Sequence, residues 1–134
     1  MDRVSLEDRS RIMRAVRRED TTPELSVRRI AHKLGFRFRL HRKDLPGSPD
    51  IIFPKHRLCL FVHGCFWHRH HGCRKATTPK SNAAFWMDKF ARNVERDGRK
   101  VEALRALGWK VAVVWECQSK DETVVESIIR DAIR

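Results

Sequence analysis

The residues best suited to chemistry are concentrated between Pro49 and Cys73, in the stretch PDIIFPKHRLCLFVHGCFWHRHHGC. This stretch holds most of the histidines and all but one of the cysteines. An imidazole beside a carboxylate can move a proton or help to hold a divalent cation. Thiolates combined with an imidazole can hold zinc. The residue types therefore predict a hydrolytic site and a zinc site that lie close together.

The first candidate pair is Asp50, at the start of one predicted strand, and His63, just past the next. Neighbouring strands would bring the two side chains together, so Asp50 could hold a divalent cation while His63 transfers a proton or orients water. Hydrolysis of a phosphodiester needs such a cation, because the charge that develops on the phosphate must be neutralised. The alternative interpretation makes Asp50 a simple turn residue after Pro49, and the spacing leaves both interpretations open.

The second candidate set combines one histidine with three cysteines. These are Cys65, His70, Cys73 and Cys117. Four soft protein ligands with no open position are typical of a structural zinc site, and a reducing cytosol disfavours disulfides. His71 could replace His70, and buried thiols with surface histidines are the alternative. Cys59, within the apolar run LCLFV, is expected to be a core thiol.

Aromatic residues flank these sets. Phe66 and Trp67 lie in the loop after Cys65, and Trp86 lies near the start of a long predicted helix. Most aromatic side chains belong to a core, and for Trp86 alone that is the better interpretation. A loop held by zinc could instead present Phe66 and Trp67 as wedges between base pairs.

A net charge of +12 and a pI near 10.4 predict attraction to a polyanion, of which nucleic acid is the commonest in a cell. Much of the excess is clustered, and a predicted helix over residues 5–18 carries Arg9, Arg11 and Arg14. We expect these arginines to contact a DNA backbone or groove, with a solvated helix face as the alternative. No apolar run approaches the roughly 20 residues that cross a bilayer, so we expect a cytoplasmic, nucleoid-associated protein without membrane contact.

Hydrophobic periodicity predicts an α/β chain of mixed α+β type, with a small central mixed sheet flanked by helices. The chain is expected to form one domain over residues 1–134, in which residues 1–20 supply the basic helix. Within the long helix, Met87, Val94, Val101 and Leu104 are expected to face the core, and Asp97 lies at the edge of that face. After the first helix, the predicted helices cover residues 22–34, 82–107 and 121–133, and the predicted strands cover residues 36–40, 50–53, 58–62 and 109–115.

Several motifs resemble one known family in the right order along nearly the whole chain. They are RSRIMRAV, DLPGSPDIIF, FVHGCFWH, FWMDKFARNVERD and LGWKVAVVWEC. They resemble the very-short-patch-repair (Vsr) DNA mismatch endonucleases of the restriction-endonuclease-like PD-(D/E)xK superfamily. The usual distal lysine motif is replaced here by Phe61-x-His63. The resemblance implies a magnesium-dependent enzyme that nicks DNA beside the thymine of a T:G mismatch left by deamination of 5-methylcytosine.

The resemblance also implies a role for each matching residue. Asp50 would bind magnesium, with the Val62 carbonyl as a helper where some members carry threonine. His63 and His68 would be catalytic, with Asp97 as the partner of His68 and Glu24 as a supporting acid. By the same match, Phe66, Trp67 and Trp86 would intercalate into the DNA. The basic N-terminal helix would lie in a DNA groove. The structural zinc ligands would be Cys65, His70, Cys73 and Cys117.

Two other functions fit parts of the pattern. A zinc-stabilised basic module that binds DNA or RNA without catalysis would explain the charge and the cysteines, but it does not explain Asp50, His63 and Asp97 together. A nuclease acting on matched DNA would share the site and differ in substrate. The expected partner is double-stranded DNA carrying a mismatch, with mismatch-repair proteins as further candidates, and a nick in one strand requires only a monomer.

Overall fold

The computed structural model describes residues 21–74, 76–77 and 80–134, and the predicted helix with Arg9, Arg11 and Arg14 lies outside them. Within the described residues, four strands form one open sheet with helices on both faces. The strands are β1 (Arg39–Leu40), β2 (Ile51–Phe53), β3 (Leu58–His63) and β4 (Lys110–Trp115). The helices are α1 (Thr22–Lys33), α2 (Ala83–Ala106) and α3 (Glu122–Ile133), with short 3₁₀ turns at Pro54–His56 and Glu116–Gln118. None of these helices combines the length and the hydropathy that a bilayer crossing requires.

The sheet has the order β1-β2-β3-β4, and its last pair is parallel whereas the other two are antiparallel. In the parallel pair, His63 at the end of β3 is opposite Trp115 at the end of β4. The chain between them contains the cysteine and histidine loop and α2. Because both strands finish at one edge, the residues that follow each strand meet there.

Apolar side chains cover both faces of β2 and β3. On one face Ile51 and Leu60 pack with Val27 of α1 and Ile129 of α3. On the other face the alternate residues pack with Leu104 of α2. Alternation along a strand sends successive side chains to opposite faces, so a continuous apolar run is what a doubly covered sheet needs. The predicted mixed sheet flanked by helices is confirmed, and Cys59 is a core thiol.

The predicted starts of α1 and α3 are confirmed, and each of these two helices has a side-chain cap. The Thr21 hydroxyl accepts a hydrogen bond from the Glu24 N–H (3.3 Å), and Pro23 occupies the first turn of α1. Asp121 caps α3 in the same way through the Val124 N–H. The cap of α1 matters for the site, since it fixes Glu24 in the first turn.

The prediction of a strand over residues 36–40 was too long. Only Arg39 and Leu40 pair with β2, because β2 itself has three residues and the chain turns at His41 with a φ of 49°. Phe36 and Phe38 still pack against the core from an extended segment.

The predicted core stripe of α2 was wrong at its first two members. Met87 is 58% exposed and Val94 is 48% exposed, whereas Trp86 and Phe90 are buried. The sheet supports only the later part of α2, where Leu104 packs. The first part is covered by the loop after β3, whose Phe66 ring lies 5.2 Å from that of Phe90.

Candidate active site and metal centre

A tight turn places Asp50 at the start of β2. Gly47 in this turn has a φ of +74°, and a Cβ added there would come within 2.8 Å of the Lys100 side chain, so only glycine fits. The Asp50 carboxylate accepts a hydrogen bond from the Val62 N–H (2.7 Å) across the strand pair. Burial raises the pKa of Asp50 to about 6, against the opposing effect of the Val62 amide.

Two further side chains join Asp50 in a cluster that could hold a metal ion, because ligand atoms of Glu24, His41 and Asp50 all lie within 4.8 Å of one another. Glu24 is 1% exposed, and its carboxylate accepts a hydrogen bond from Arg28 Nη2 (2.6 Å). His41 Nε2 lies 2.5 Å from the same Glu24 oxygen, and the His41 backbone N–H donates to the Asp50 carbonyl (3.3 Å). His41 and Arg28 were not among the predicted site residues.

A second cluster consists of His63, His68 and Asp97. The two imidazole rings stack at 3.9 Å with an interplanar angle of 8°, and His68 Nδ1 lies 2.5 Å from Asp97 Oδ2. Burial lowers the pKa of His63 to about 3, with help from the nearby His68 and Lys100 and against the charge of Asp97. His63 is therefore neutral at neutral pH and can accept a proton.

Electrostatics also hold Asp97 in its charged form. Burial alone would raise the pKa of Asp97, but the hydrogen bond from His68 and the nearby charge of Lys100 lower it below its ordinary value. Lys100 thus acts on both His63 and Asp97 from one turn further along α2. The sequence gave no signal for Lys100 beyond its position on the helix that carries Asp97.

The two clusters are neighbours in the sheet. Asp50 accepts a hydrogen bond from the backbone of Val62, the residue before His63. The Asp50 carboxylate nevertheless clusters with Glu24 and His41, whereas His63 clusters with His68 and Asp97. A cleft of about 400 Å³ opens over His63 and is lined in part by α2. The arrangement can therefore hold a cation on one side and exchange protons on the other.

The predicted thiol set comes together beyond the ends of β3 and β4. Cys65, His70, Cys73 and Cys117 offer ligand atoms within 4.8 Å of one another. His70 Nδ1 lies 3.6 Å from Cys65 Sγ and 3.4 Å from Cys117 Sγ, whereas His71 is exposed. Three sulfur atoms and one imidazole suit zinc in number and in softness.

A column of rings connects this thiol cluster to the imidazole pair. The His70 ring stacks on Trp115 with centroids 4.4 Å apart and an interplanar angle of 9°, and the Trp115 and His63 rings form a T-shaped pair with centroids 5.3 Å apart. His63 in turn stacks on His68. Trp115 was predicted only as a strand residue, since its place in the column depends on the parallel pairing of β3 with β4.

The aromatic residues of the loop form one cluster with the start of α2. Phe66 and Trp67 are partly exposed, and Trp86 behind them is 5% exposed, with ring centroids 6.3 Å and 6.1 Å away. The Arg69 guanidinium donates hydrogen bonds to the Phe66 carbonyl (3.1 Å) and to the Ala76 carbonyl (2.8 Å). Arg69 therefore fixes the loop that presents Phe66 and Trp67.

The family profile described as "DNA mismatch endonuclease Vsr" matches residues 1–75, more than half of the chain. The chain belongs to this family of DNA mismatch endonucleases. It is 42% identical over 109 residues to the DNA mismatch endonuclease Vsr of Escherichia coli, covering 81% of this chain and 69% of that protein. It is 53% identical over 132 residues to the type II nicking enzyme V.XorIIP of Xanthomonas oryzae pv. oryzae, covering 98% of this chain and 96% of that protein.

The predicted family is thus confirmed. The catalytic domain of the homing endonuclease I-Bth0305I matches with a TM-score of 0.57 at 20% identity, over 84% of this chain and 94% of that domain. At that identity the likeness concerns the fold alone, and the Vsr relatives support nuclease activity on DNA.

We expect Asp50 and His63 to give opposite pH dependences to the free energy of unfolding. The pKa of Asp50 is raised from 3.8 to about 6, so between these values the folded chain binds more protons than the unfolded one and stability falls as pH rises. The pKa of His63 is lowered from 6.5 to about 3, so in that window the unfolded chain binds more protons and stability rises with pH.

Urea unfolding in magnesium-free buffer between pH 4 and 6 measures both effects. Relative to the wild type, Asp50→Asn should make the slope of stability against pH more positive and His63→Gln should make it more negative, each by at most about 1.4 kcal/mol per pH unit. Slope changes of the same sign in the two variants would contradict the assignment.

Proposed function

We propose that this Vsr-family chain nicks one strand of double-stranded DNA beside the thymine of a T:G mismatch, in very short patch repair of deaminated 5-methylcytosine. The hydrolysis depends on magnesium. The observation that carries the proposal is the pair of adjacent clusters, one rich in carboxylates around Asp50 and one with stacked imidazoles around His63. Relatives named as nicking enzymes support cleavage of a single strand.

Magnesium would be held by Asp50 and by the Val62 carbonyl, with Glu24 as the supporting acid. These hard oxygen donors fit the ion. Val62 already directs its N–H towards Asp50, and in an extended strand the carbonyl of a residue lies on the same side as its N–H. Bound there, the ion would neutralise charge on the scissile phosphate and acidify a coordinated water.

His63 and His68 transfer protons during the reaction. A neutral His63 can take a proton from the attacking water. Asp97 holds Nδ1 of His68, so the ring is oriented and its Nε2 is left to face the reacting groups. His68 can then donate a proton to the leaving oxygen. Burial keeps His63 neutral, with a smaller contribution from Lys100, and Lys100 adds positive charge where the phosphate binds.

The aromatic cluster supplies recognition of the mismatch. Phe66 and Trp67 enter the base stack, and Trp86 serves as the buried ring behind them. Unstacking a mismatched base pair costs less free energy than unstacking a matched pair, so insertion of the rings favours mismatched DNA. The N-terminal arginines Arg9, Arg11 and Arg14 contact the backbone or a groove.

The zinc set fixes the loop that carries this cluster and takes no part in the chemistry. Its ligands are Cys65, His70, Cys73 and Cys117. The enzyme works as a monomer on the DNA of the nucleoid, with mismatch-repair proteins as further partners. A basic binding module without catalysis would need none of the three residues Asp50, His63 and Asp97.

Removal of a side chain that transfers a proton or binds magnesium should abolish nicking and leave DNA binding unchanged. Asp50→Asn and His63→Ala are expected to lower the rate of nicking a T:G duplex by about 100-fold or more, because each removes one part of the acid, base or metal chemistry. Gel assays with and without magnesium measure the rate, and affinity for the duplex is measured without magnesium. His32→Ala, an exposed histidine of α1, is the matched control. Wild-type rates in either active-site variant would refute the assigned role.

Removal of the wedge should affect discrimination and leave general affinity intact. Phe66→Ala and Trp67→Ala are each expected to reduce the preference for a T:G duplex over a matched duplex by about 10-fold, given roughly 1–3 kcal/mol for a stacked base. Competition binding in both duplexes gives the ratio. Leu107→Ala removes a more exposed apolar side chain just past the far end of α2 and should leave the ratio unchanged. An unaltered preference in both aromatic variants would exclude the wedge.

The thiol cluster should hold one zinc ion per chain. Cys117→Ser is expected to lose zinc on dialysis and to lower the melting temperature by about 10 °C, because the bound metal contributes directly to folding. Metal analysis and thermal unfolding give the two values. Cys59→Ser changes a cysteine outside the cluster and should keep its zinc. Equal zinc content in Cys117→Ser and the wild type would contradict the assignment.

A further inference from the structure

His41 occupies a constrained position between two residues of the proposed magnesium site. Its backbone has a φ of 49°, a left-handed conformation that costs a non-glycine residue about 1 kcal/mol or more. The conformation is held from both sides, because the backbone N–H donates to the Asp50 carbonyl and the ring contacts the Glu24 carboxylate. The chain therefore fixes an imidazole beside the two acids.

We propose that His41 is a ligand of the divalent cation held by Asp50 and Glu24, and that this nitrogen makes the site bind Mn²⁺ in preference to Mg²⁺. The inference rests on the proposed function, whose metal site it deepens. Ligand atoms of the three residues lie within 4.8 Å of one another, close enough to converge on one ion. Mg²⁺ strongly prefers oxygen donors, whereas Mn²⁺ stands above it in affinity for imidazole.

The charges around His41 favour a neutral nitrogen as the third ligand. Asp50 and Glu24 contribute two negative charges, and Arg28, 2.6 Å from Glu24, contributes one positive charge. A third carboxylate would add a further charge to a buried group of acids, since Glu24 is almost fully buried. An imidazole adds a donor without adding charge. The two carboxylates, Arg28, a divalent cation and one phosphate then carry little net charge together.

The ring nitrogen of His41 already lies among the polar atoms of the site. Nε2 is 2.5 Å from Glu24 Oε1 and 3.3 Å from Arg28 Nη2. With the ring proton on Nδ1, Nε2 would offer its lone pair to the ion. Glu24 would then lie beside the same ion.

Metal titration of zinc-loaded protein tests the proposal. Filling the thiol cluster with zinc first keeps added Mn²⁺ away from Cys65 and its partners. Calorimetry with MnCl₂ and with MgCl₂ gives the two affinities, and pulsed EPR of bound Mn²⁺ detects coupling to a ligand ¹⁴N nucleus. The variants are His41→Gln, Asp50→Asn and His63→Gln, with His32→Gln as the matched control on α1.

The wild type should bind Mn²⁺ at least about 10-fold more tightly than Mg²⁺ and show ¹⁴N coupling. His41→Gln should abolish the coupling, weaken Mn²⁺ binding by about 10-fold and leave Mg²⁺ affinity within about twofold, because glutamine restores an oxygen donor. Asp50→Asn should weaken the binding of both ions, His32→Gln should change neither affinity, and His63→Gln should keep the ¹⁴N coupling.

Three results would overturn the proposal: Mn²⁺ bound to the wild type without ¹⁴N coupling, coupling that persists in His41→Gln, or coupling that disappears in His63→Gln alone. The last would place the nitrogen in the cluster with His68 and Asp97. The wild-type EPR measurement stands even if His41→Gln fails to fold. Nicking of a T:G duplex by the wild type tests the proposed function separately, so a chain that binds Mn²⁺ through His41 without nicking refutes the function and leaves the ligand assignment standing.

Discussion

The parallel pairing of β3 with β4 is the constraint on which the site depends. It aligns His63 with Trp115 and ends both strands at the same edge of the sheet. The loop after β3 and the turn after β4 must then share that edge, which is why Cys65 and Cys117 meet although they are far apart in sequence. The crossover between two parallel strands also needs a long connection, and α2 within it brings Asp97 back over His63.

The polar groups at this edge are costly to bury, and their partners explain how the fold tolerates them. Burial makes Asp50 hold its proton more tightly than usual, although the hydrogen bond from the Val62 amide opposes this effect. Glu24 instead has Arg28 at 2.6 Å. His63 avoids the cost by staying neutral. Perturbed pKa values of this kind are common among buried groups at functional sites.

Much of this arrangement can be predicted from the sequence, and the errors have physical causes. Hydrophobic periodicity predicted α1, α3 and the two central strands, because these elements depend on local preferences and on burial of both faces of the sheet. The stripe of α2 failed at Met87 and Val94 because periodicity identifies an apolar arc without identifying what covers it. His41 was missed since it is a single histidine after a two-residue strand, and its importance arises only from contacts with Glu24 and Asp50.

The choice between His70 and His71 shows the same limit. Spacing admitted both residues, and a local backbone feature separates them: the His70 N–H donates to the Cys65 carbonyl and the Cys73 N–H donates to the His70 carbonyl. This folded loop turns the His70 ring towards the sulfur atoms and onto Trp115, while His71 stays exposed. Which histidine joins the thiol cluster therefore depends on loop geometry that residue types alone do not encode.

Helix α2 carries Trp86 in its first turn and Asp97 further along, and its Lys100 side chain packs against Gly47 in the turn before Asp50. Trp86 and Asp97 are separated by about 16 Å along the axis, at a rise of 1.5 Å per residue. A helix, rather than a flexible loop, thus sets the spacing between the ring cluster and the cluster of His63, His68 and Asp97. The spacing between Trp86 and Asp97 can be increased only by whole helical turns, since any smaller insertion would rotate Asp97 away from His68.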